Sequence, residues 1–359
     1  MIRAPRLSLL LVFALGAALT GDARGTTTEP ARPTVKKPVE QRAPRSRSVN
    51  FTYETYFEGF AVDRYKFDAW FPVPLEGEGQ KISDLVIYSP SDDPVLVEPE
   101  NGNRVAHIRS GPRGAVPLKA RARCNVTRTE ILHPDLAAKA AQPPTRPANL
   151  PRYLKGDNLV PIDAATKALA ATITKGKTTT AQKARSIYDY VVTTMKYAKS
   201  GEGWGRGDLK HALSSRSGDC TDFNAVFNGL ARASRIPARQ VMGFKIPRGQ
   251  REGTISEFHC WSEFYLDGTG WIPVDPVEGS ADPSRRGFYF GNLDADRVAF
   301  SVGRDVVLVP PQTGGPLNFF IYPYGEGDGV PLPGGSYRCS WTEGIGPAVL
   351  TPVESTPNR

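Results

Sequence analysis

Arg216-Ser217-Gly218-Asp219-Cys220-Thr221-Asp222-Phe223 is the stretch on which the reading of this chain turns. After Cys220 the apolar residues Phe223, Val226, Phe227 and Leu230 recur at i, i+3, i+4 and i+7, the stripe of a helix packed into a core. Asp219 suits the capping position of that helix, and Gly218 permits a sharp turn before it. Cys220 therefore falls in the first turn of a buried helix. Unpaired backbone N–H groups and the helix dipole favour a thiolate there, and the same N–H groups suit an oxyanion.

Two further phrases complete the set. Glu257 to Leu266 alternates as a strand should, with His259, Trp261, Glu263 and Tyr265 on one face and Phe258, Cys260, Phe264 and Leu266 on the other. Cys260 is thus predicted to point into the core, away from His259. Asp267-Gly268-Thr269-Gly270 is a turn signal, so Trp271 to Asp275 should return as the antiparallel partner. That brings Asp275 towards His259, where a carboxylate fixes the ring tautomer and stabilises imidazolium. A two-residue turn at Gly268-Thr269 would set Asp275 opposite Ser262, so a longer loop or a bulge is required. Singly, a helix-start cysteine, a strand histidine and an Asp-Pro turn are ordinary structural features. Together they are the nucleophile, base and orienter of thiol chemistry.

With Arg235-Ile236-Pro237-Ala238-Arg239, His259-Cys260-Trp261-Ser262-Glu263 and Gly270-Trp271-Ile272-Pro273-Val274-Asp275, these phrases resemble the transglutaminase-like superfamily in its bacterial secreted branch. The resemblance implies an α+β, papain-like core, a cysteine-bearing helix packed on an antiparallel sheet, with Cys220, His259 and Asp275 as catalytic residues. It covers residues 160–345 well and the β-rich part before them loosely. One departure is Asn224, where many similar bacterial sequences carry His. The motifs specify the fold more than the reaction, since the superfamily holds transglutaminases, peptidases, amidases and inactive members.

The rest of the chain is read around that core. Arg3 and Arg6 precede an apolar run from Leu7 to Leu19, too short to span a membrane, so residues 1–23 read as a secretory signal peptide and the destination as secreted or periplasmic. Residues 24–48 read as a disordered basic linker. Arg24, Arg32, Lys36, Lys37, Arg42, Arg45 and Arg47 against Glu29 and Glu40 give it more than half of the chain's net +8. The remainder is nearly neutral, which speaks against nucleic acid, while the linker suits a tether or a weak contact with anionic envelope polymers. Residues 49–132 are β-rich, 133–160 form a Pro-rich connector, 161–345 the core domain and 346–359 a frayed tail. Within the core, Ile162–Ile173 and Thr179–Tyr197 are predicted helices, Glu278–Arg286 a loop, and Val306–Val309 and Leu317–Tyr322 strands. Asn50-Phe51-Thr52 and Asn125-Val126-Thr127 fit a glycosylation pattern.

No metal or cofactor motif occurs, so the chemistry is assigned to side chains and no cofactor is expected. The expected function is thiol acyl transfer on amide bonds of a protein or peptide through a Cys220 thioester, with hydrolysis favoured over cross-linking. Trp204, in a glycine-rich loop from Gly201 to Gly207 taken as mobile, is a candidate substrate-binding residue with Trp261 and Asp222. Two indoles flanking the site, Trp261 and Trp271, would suit either a tunnel or a packed support. Rival readings are a non-catalytic envelope-binding module of the same fold and a secreted structural protein with every cysteine in a disulfide. Cys124 and Cys339 are the candidates for one bridge.

Overall fold

β1 (Ser46–Phe57) alternates Phe51, Tyr53, Thr55 and Phe57 inward, and these side chains are all buried. The computed structural model describes residues 42–57, 66–89, 94–110, 118–136 and 145–346. The expected leader, the expected linker up to residue 41 and the expected tail from 347 lie outside them. Among the described residues no helix is long and apolar enough to cross a membrane.

β1 is the middle of a five-stranded sheet ordered β10 (Glu252–Ile255), β16 (Gly335–Glu343), β1, β6 (Leu118–Thr129) and β3 (Gln80–Tyr88). A second, four-stranded sheet runs β12 (Gly270–Val274), β11 (His259–Leu266), β9 (Ala238–Lys245), β13 (Arg297–Val302). The third is β15 (Val330–Pro331), β14 (Tyr324–Gly327), β2 (Phe67–Val73), β5 (Arg104–Ser110), β4 (Leu96–Val97). A short parallel pair, β7 (Lys196–Tyr197) and β8 (Ser217–Gly218), precedes the cysteine helix. The β-rich lead-in is therefore woven into C-terminal strands. An aromatic seam joins the first two sheets: Phe51 meets Phe244 and Phe300 at 5.8 and 5.7 Å, and Tyr53 meets Phe300 at 5.3 Å. Each such ring contributes about 1.5–3 kcal/mol by burial.

α4 (Cys220–Ala233) is buried from Cys220 to Arg232 because it packs against β11 on one side and against α1 (Ala164–Ile173), α2 (Thr180–Thr194) and α3 (Leu209–Ser215) on the others. In α2 the stripe Ala184, Ile187, Tyr188, Val191 and Val192 is buried, as the helical period requires.

Several expectations need correction. Residues 42–48, read as linker, are ordered: Arg42 pairs with Glu130 at 2.6 Å, and Arg47 with Asp296 and Glu343 at 2.8 and 3.0 Å. The second half of the connector is core, with Leu150, Tyr153 and Val160 buried. Val306–Val309 and Leu317–Tyr322 are not strands; one bridge, Val306 to Leu317, is all that forms, because Pro310, Pro311, Pro316 and Pro323 interrupt the backbone donors. Glu278–Arg286 is not plain loop, since Pro276–Ala281 forms α5, followed by a 3-10 turn. Asn50 and Asn125 are buried and bonded to each other at 2.9 Å, which removes both glycosylation acceptors from solvent.

The Cys124–Cys339 bridge is excluded by register. β1 lies between their strands, with Phe51 opposite Cys124 and Tyr53 opposite Cys339. Two strand spacings separate the cysteines by about 10 Å, beyond the ~7 Å that a disulfide spans. All four cysteines are free and buried. Peptide mapping after alkylation under non-reducing denaturation should find Cys124 and Cys339 each alkylated; a linked Cys124–Cys339 peptide would contradict the strand order.

Candidate active site

Cys220 opens α4 because the residues around it cap one another. Asp219 is the N-cap, its Oδ1 accepting from the Thr221 N–H at 2.8 Å, while Asp222 Oδ2 accepts from the Asp219 N–H at 2.9 Å. This reciprocal box holds the first turn rigidly. Gly218 is required by space, since a Cβ there would lie 2.2 Å from Asp222 Oδ2.

The turn between β11 and β12 settles the position of Asp275. Leu266 pairs with Gly270, leaving a three-residue loop in which Gly268 has φ 83°. The register continues Tyr265–Trp271, Phe264–Ile272, Glu263–Pro273 and Ser262–Val274. One residue more in the loop than a two-residue turn moves Asp275 onto the face of His259. Asp275 is also the N-cap of α5, with Pro276 at the first helical position and Oδ1 accepting from the Glu278 N–H at 3.1 Å.

His259 Nε2 stands 2.7 Å from Asp275 Oδ2, leaving Nδ1 for the Cys220 thiol, with which the ring interacts directly. Burial alone would push the imidazole down. The charge and hydrogen bond of Asp275, together with the Cys220 sulfur, overcome burial and raise it to about 10. The Cys220 thiol is lowered to about 7 by a hydrogen bond from Cys260, against burial, and then by His259. Burial would raise Asp275, yet His259 and Arg297 bring it down to about 2. The site therefore favours an imidazolium–thiolate pair.

Arg297 and Asp294 escaped the sequence reading. Arg297 is wholly buried; Nη1 donates to Asp275 Oδ2 at 2.9 Å, and Nε and Nη2 fork onto Asp294 at 3.1 Å each. Asp294 also accepts from the Tyr289 hydroxyl at 2.9 Å and Arg248 at 2.9 Å. Breaking such a buried set by removing one partner costs about 3–5 kcal/mol. In sequence these charges look like any solvated ones, and only their burial marks them.

The proposed substrate-binding residues fare differently. Asp222 is fully buried, and besides the cap it accepts from Gly205 and Gly207 N–H at 2.8 and 2.9 Å. It is a brace between loop and helix, not a cleft residue. The glycine-rich loop is thereby pinned, contrary to the mobile wall expected, and Trp204 on it is half-buried. Trp261 is 1% exposed, under the Arg297 guanidinium at 5.1 Å and with its ring 6.4 Å from that of His259. Trp271 sits beneath Arg239 at 4.0 Å and edge-on to Tyr153 at 5.2 Å. Both indoles are packed support. The rings that do reach solvent near Cys220 are Tyr197 and Tyr322, 51% and 44% exposed, each within the thiol's electrostatic reach. Asn224 is spent in a bridge between α4 and β11.

Residues 167–276 match the transglutaminase-like superfamily. The match makes this stretch a transglutaminase-like domain. Cys220, His259 and Asp275 all fall inside that match. An uncharacterised Haemophilus influenzae protein is 33% identical over 212 residues, 50% of this chain and 58% of that one, so the match spans less than two thirds of the relative's length. A solved structure of a candidate cysteine protease from Cytophaga hutchinsonii is similar to this chain in fold, with a TM-score of 0.53 at 17% identity, over 84% of this chain and 98% of that one. The periplasmic domain of TgpA from Pseudomonas aeruginosa matches over 67% of this chain and 93% of its own, with a TM-score of 0.36 at 17% identity.

The pair leaves a signature in stability against pH. His259, raised from 6.5 to about 10, contributes stability that is full below pH 6.5 and lost as pH rises to about 10. Cys220, lowered from 9.0 to about 7, contributes stability that is full above pH 9 and lost as pH falls through 7. The two nearly cancel between pH 7 and 9, so urea midpoints of the wild type should be flat there. In Cys220→Ser they should fall steadily across the same range. A wild type that loses stability as steeply as the variant contradicts the ion pair.

Proposed function

We propose that this transglutaminase-like protein is an exported thiol enzyme that hydrolyses amide bonds of a protein or peptide. The observation that carries the reading is His259 between the Asp275 carboxylate, at 2.7 Å, and the thiol at the start of α4. The Cys220 thiolate attacks the amide carbonyl, and the Cys220 N–H at the start of α4 holds the oxyanion. His259 protonates the departing amine as the thioester forms. It then takes a proton from water, which attacks the thioester and releases Cys220. Asp275 keeps the ring in place and remains ionised throughout, with Arg297 supporting its charge.

Hydrolysis is favoured over transfer to an amine because Trp261 and Trp271 are occupied in packing and do not wall a tunnel. The rings beside the thiol, Tyr197 and Tyr322, face solvent, where water is the abundant acceptor. Export rests on the leader sequence of residues 1–23.

Turnover of casein, glutamine peptides and cell-wall stem peptides tests the reading. Cys220→Ala should abolish turnover, and Asp275→Asn should lower kcat/KM by roughly 10²–10⁴-fold. Stable, Cys220-dependent incorporation of a labelled amine would replace hydrolysis by cross-linking. A wild type that binds a peptide but turns none over would make the chain a binding module.

A further inference from the structure

Cys260 follows His259 on β11 but belongs to the opposite face, the one covered by α4, and it is completely buried. The atom that places it is the Asn224 amide nitrogen, one helical turn beyond Cys220. Asn224 Nδ2 lies 2.7 Å from the Cys220 carbonyl oxygen, 3.1 Å from the Cys260 carbonyl oxygen and 3.3 Å from Cys260 Sγ. Asn224 Oδ1 accepts from Ser262 Oγ at 2.7 Å, which fixes the orientation of the amide. With that oxygen facing Ser262, the two hydrogens on Nδ2 are donated to the two carbonyls and the sulfur, one of them shared between two acceptors. Cys260 Sγ therefore accepts from Asn224, and its own S–H proton is free to be donated elsewhere.

Cys220 Sγ is the partner that the fold provides. It lies at the start of the helix that covers Cys260, and Asn224 Nδ2 spans the two residues, from the Cys220 carbonyl oxygen to Cys260 Sγ. We propose that Cys260 is a positioning residue whose S–H donates to the Cys220 sulfur, holding it for attack opposite His259. The chain of donors then runs Ser262 Oγ to Asn224, Asn224 Nδ2 to Cys260, and Cys260 S–H to Cys220. The sulfur is held from two sides, by an imidazolium and by a thiol that never ionises.

This arrangement acts on the thiolate more than on the thioester, because an acylated sulfur is a poor acceptor. Donation therefore deepens the resting ion pair and makes Cys220 a better leaving group when the acyl-enzyme breaks down. The other titratable groups facing Cys220 are His259 on β11, Asp219 at the N-cap, Tyr197 on β7 and Tyr322 on the loop before β14. None of them replaces a donor on the α4 side of β11. The inference takes from the proposed function the role of Cys220 as nucleophile. The thiol itself can be read without any substrate, so the two fail separately.

The test is the pH profile of Cys220 alkylation by iodoacetamide, with the alkylated site confirmed by peptide mapping, in wild type, Cys260→Ser and Cys260→Ala. Cys260→Ala should move the midpoint up by about one pH unit, a tenfold change in the acidity constant, whereas Cys260→Ser keeps an O–H donor and should stay near wild type. A packing role alone would shift both variants together or neither, and either result overturns the proposal. Should the variants not fold, Raman spectra of the wild type decide. As Cys220 ionises near pH 7, its own S–H band should vanish and a second should move to lower frequency. A remaining S–H spectrum unchanged through that titration contradicts the donation.

Discussion

One buried carboxylate organises this molecule. Asp275 is fully enclosed, and its ionised form is held by His259, Arg297 and the Glu278 N–H together. An unpaired carboxylate at such depth would cost several kcal/mol and would take up a proton instead. The structure keeps it charged by bringing a strand end, a helix N-terminus and a distant arginine to one point. The same charge raises His259, and the raised imidazole in turn favours the Cys220 thiolate. The reactivity of the thiol is thus set by an electrostatic relay whose far end, Asp294 and Arg248, lies well away from the sulfur.

The rest of the fold keeps that relay dry and in register. β11 and β12 must hold their three-residue loop, because a slip of one position would turn Asp275 to the opposite face. β13, which delivers Arg297, is pinned to the first sheet by Phe300 against Phe51 and Tyr53. The N-terminal strands are therefore part of the support of the site, although among the described residues they contribute no side chain to the triad. Trp261, packed between Arg297 and its own small cluster, closes the relay from behind.

The sequence was most informative where periodicity and capping agree. The stripe after Cys220, with Asp219 as its cap and Gly218 before it, made α4 legible, and the alternation of Glu257–Leu266 made β11 so. The loop length was half-legible: Gly268 and Gly270 both adopt positive φ, 83° and 108°, which two glycines in four residues permit but do not demand. Asp275-Pro276 with Glu278 carried a helix-start signal that was read as a turn, since Asp-Pro begins both. Asp222 was misread because a carboxylate beside a candidate nucleophile suggests substrate contact, whereas its oxygens are spent on backbone N–H groups. Arg297 was not legible at all. A charged residue gains its meaning from burial, and burial is a property of contacts between segments that alternation cannot name. For the same reason neither partner of β1 was foreseen.

The account rests on His259 being an imidazolium well above its ordinary range. Nitrogen NMR of the selectively labelled ring in the resting protein, at a pH midway between 6.5 and 10, reads this directly. Two protonated ring nitrogens, collapsing to a neutral tautomer only near pH 10, are the predicted result. A ring already neutral at the midway pH would mean that Asp275 does not sustain the ion pair, and the account would fail at its centre.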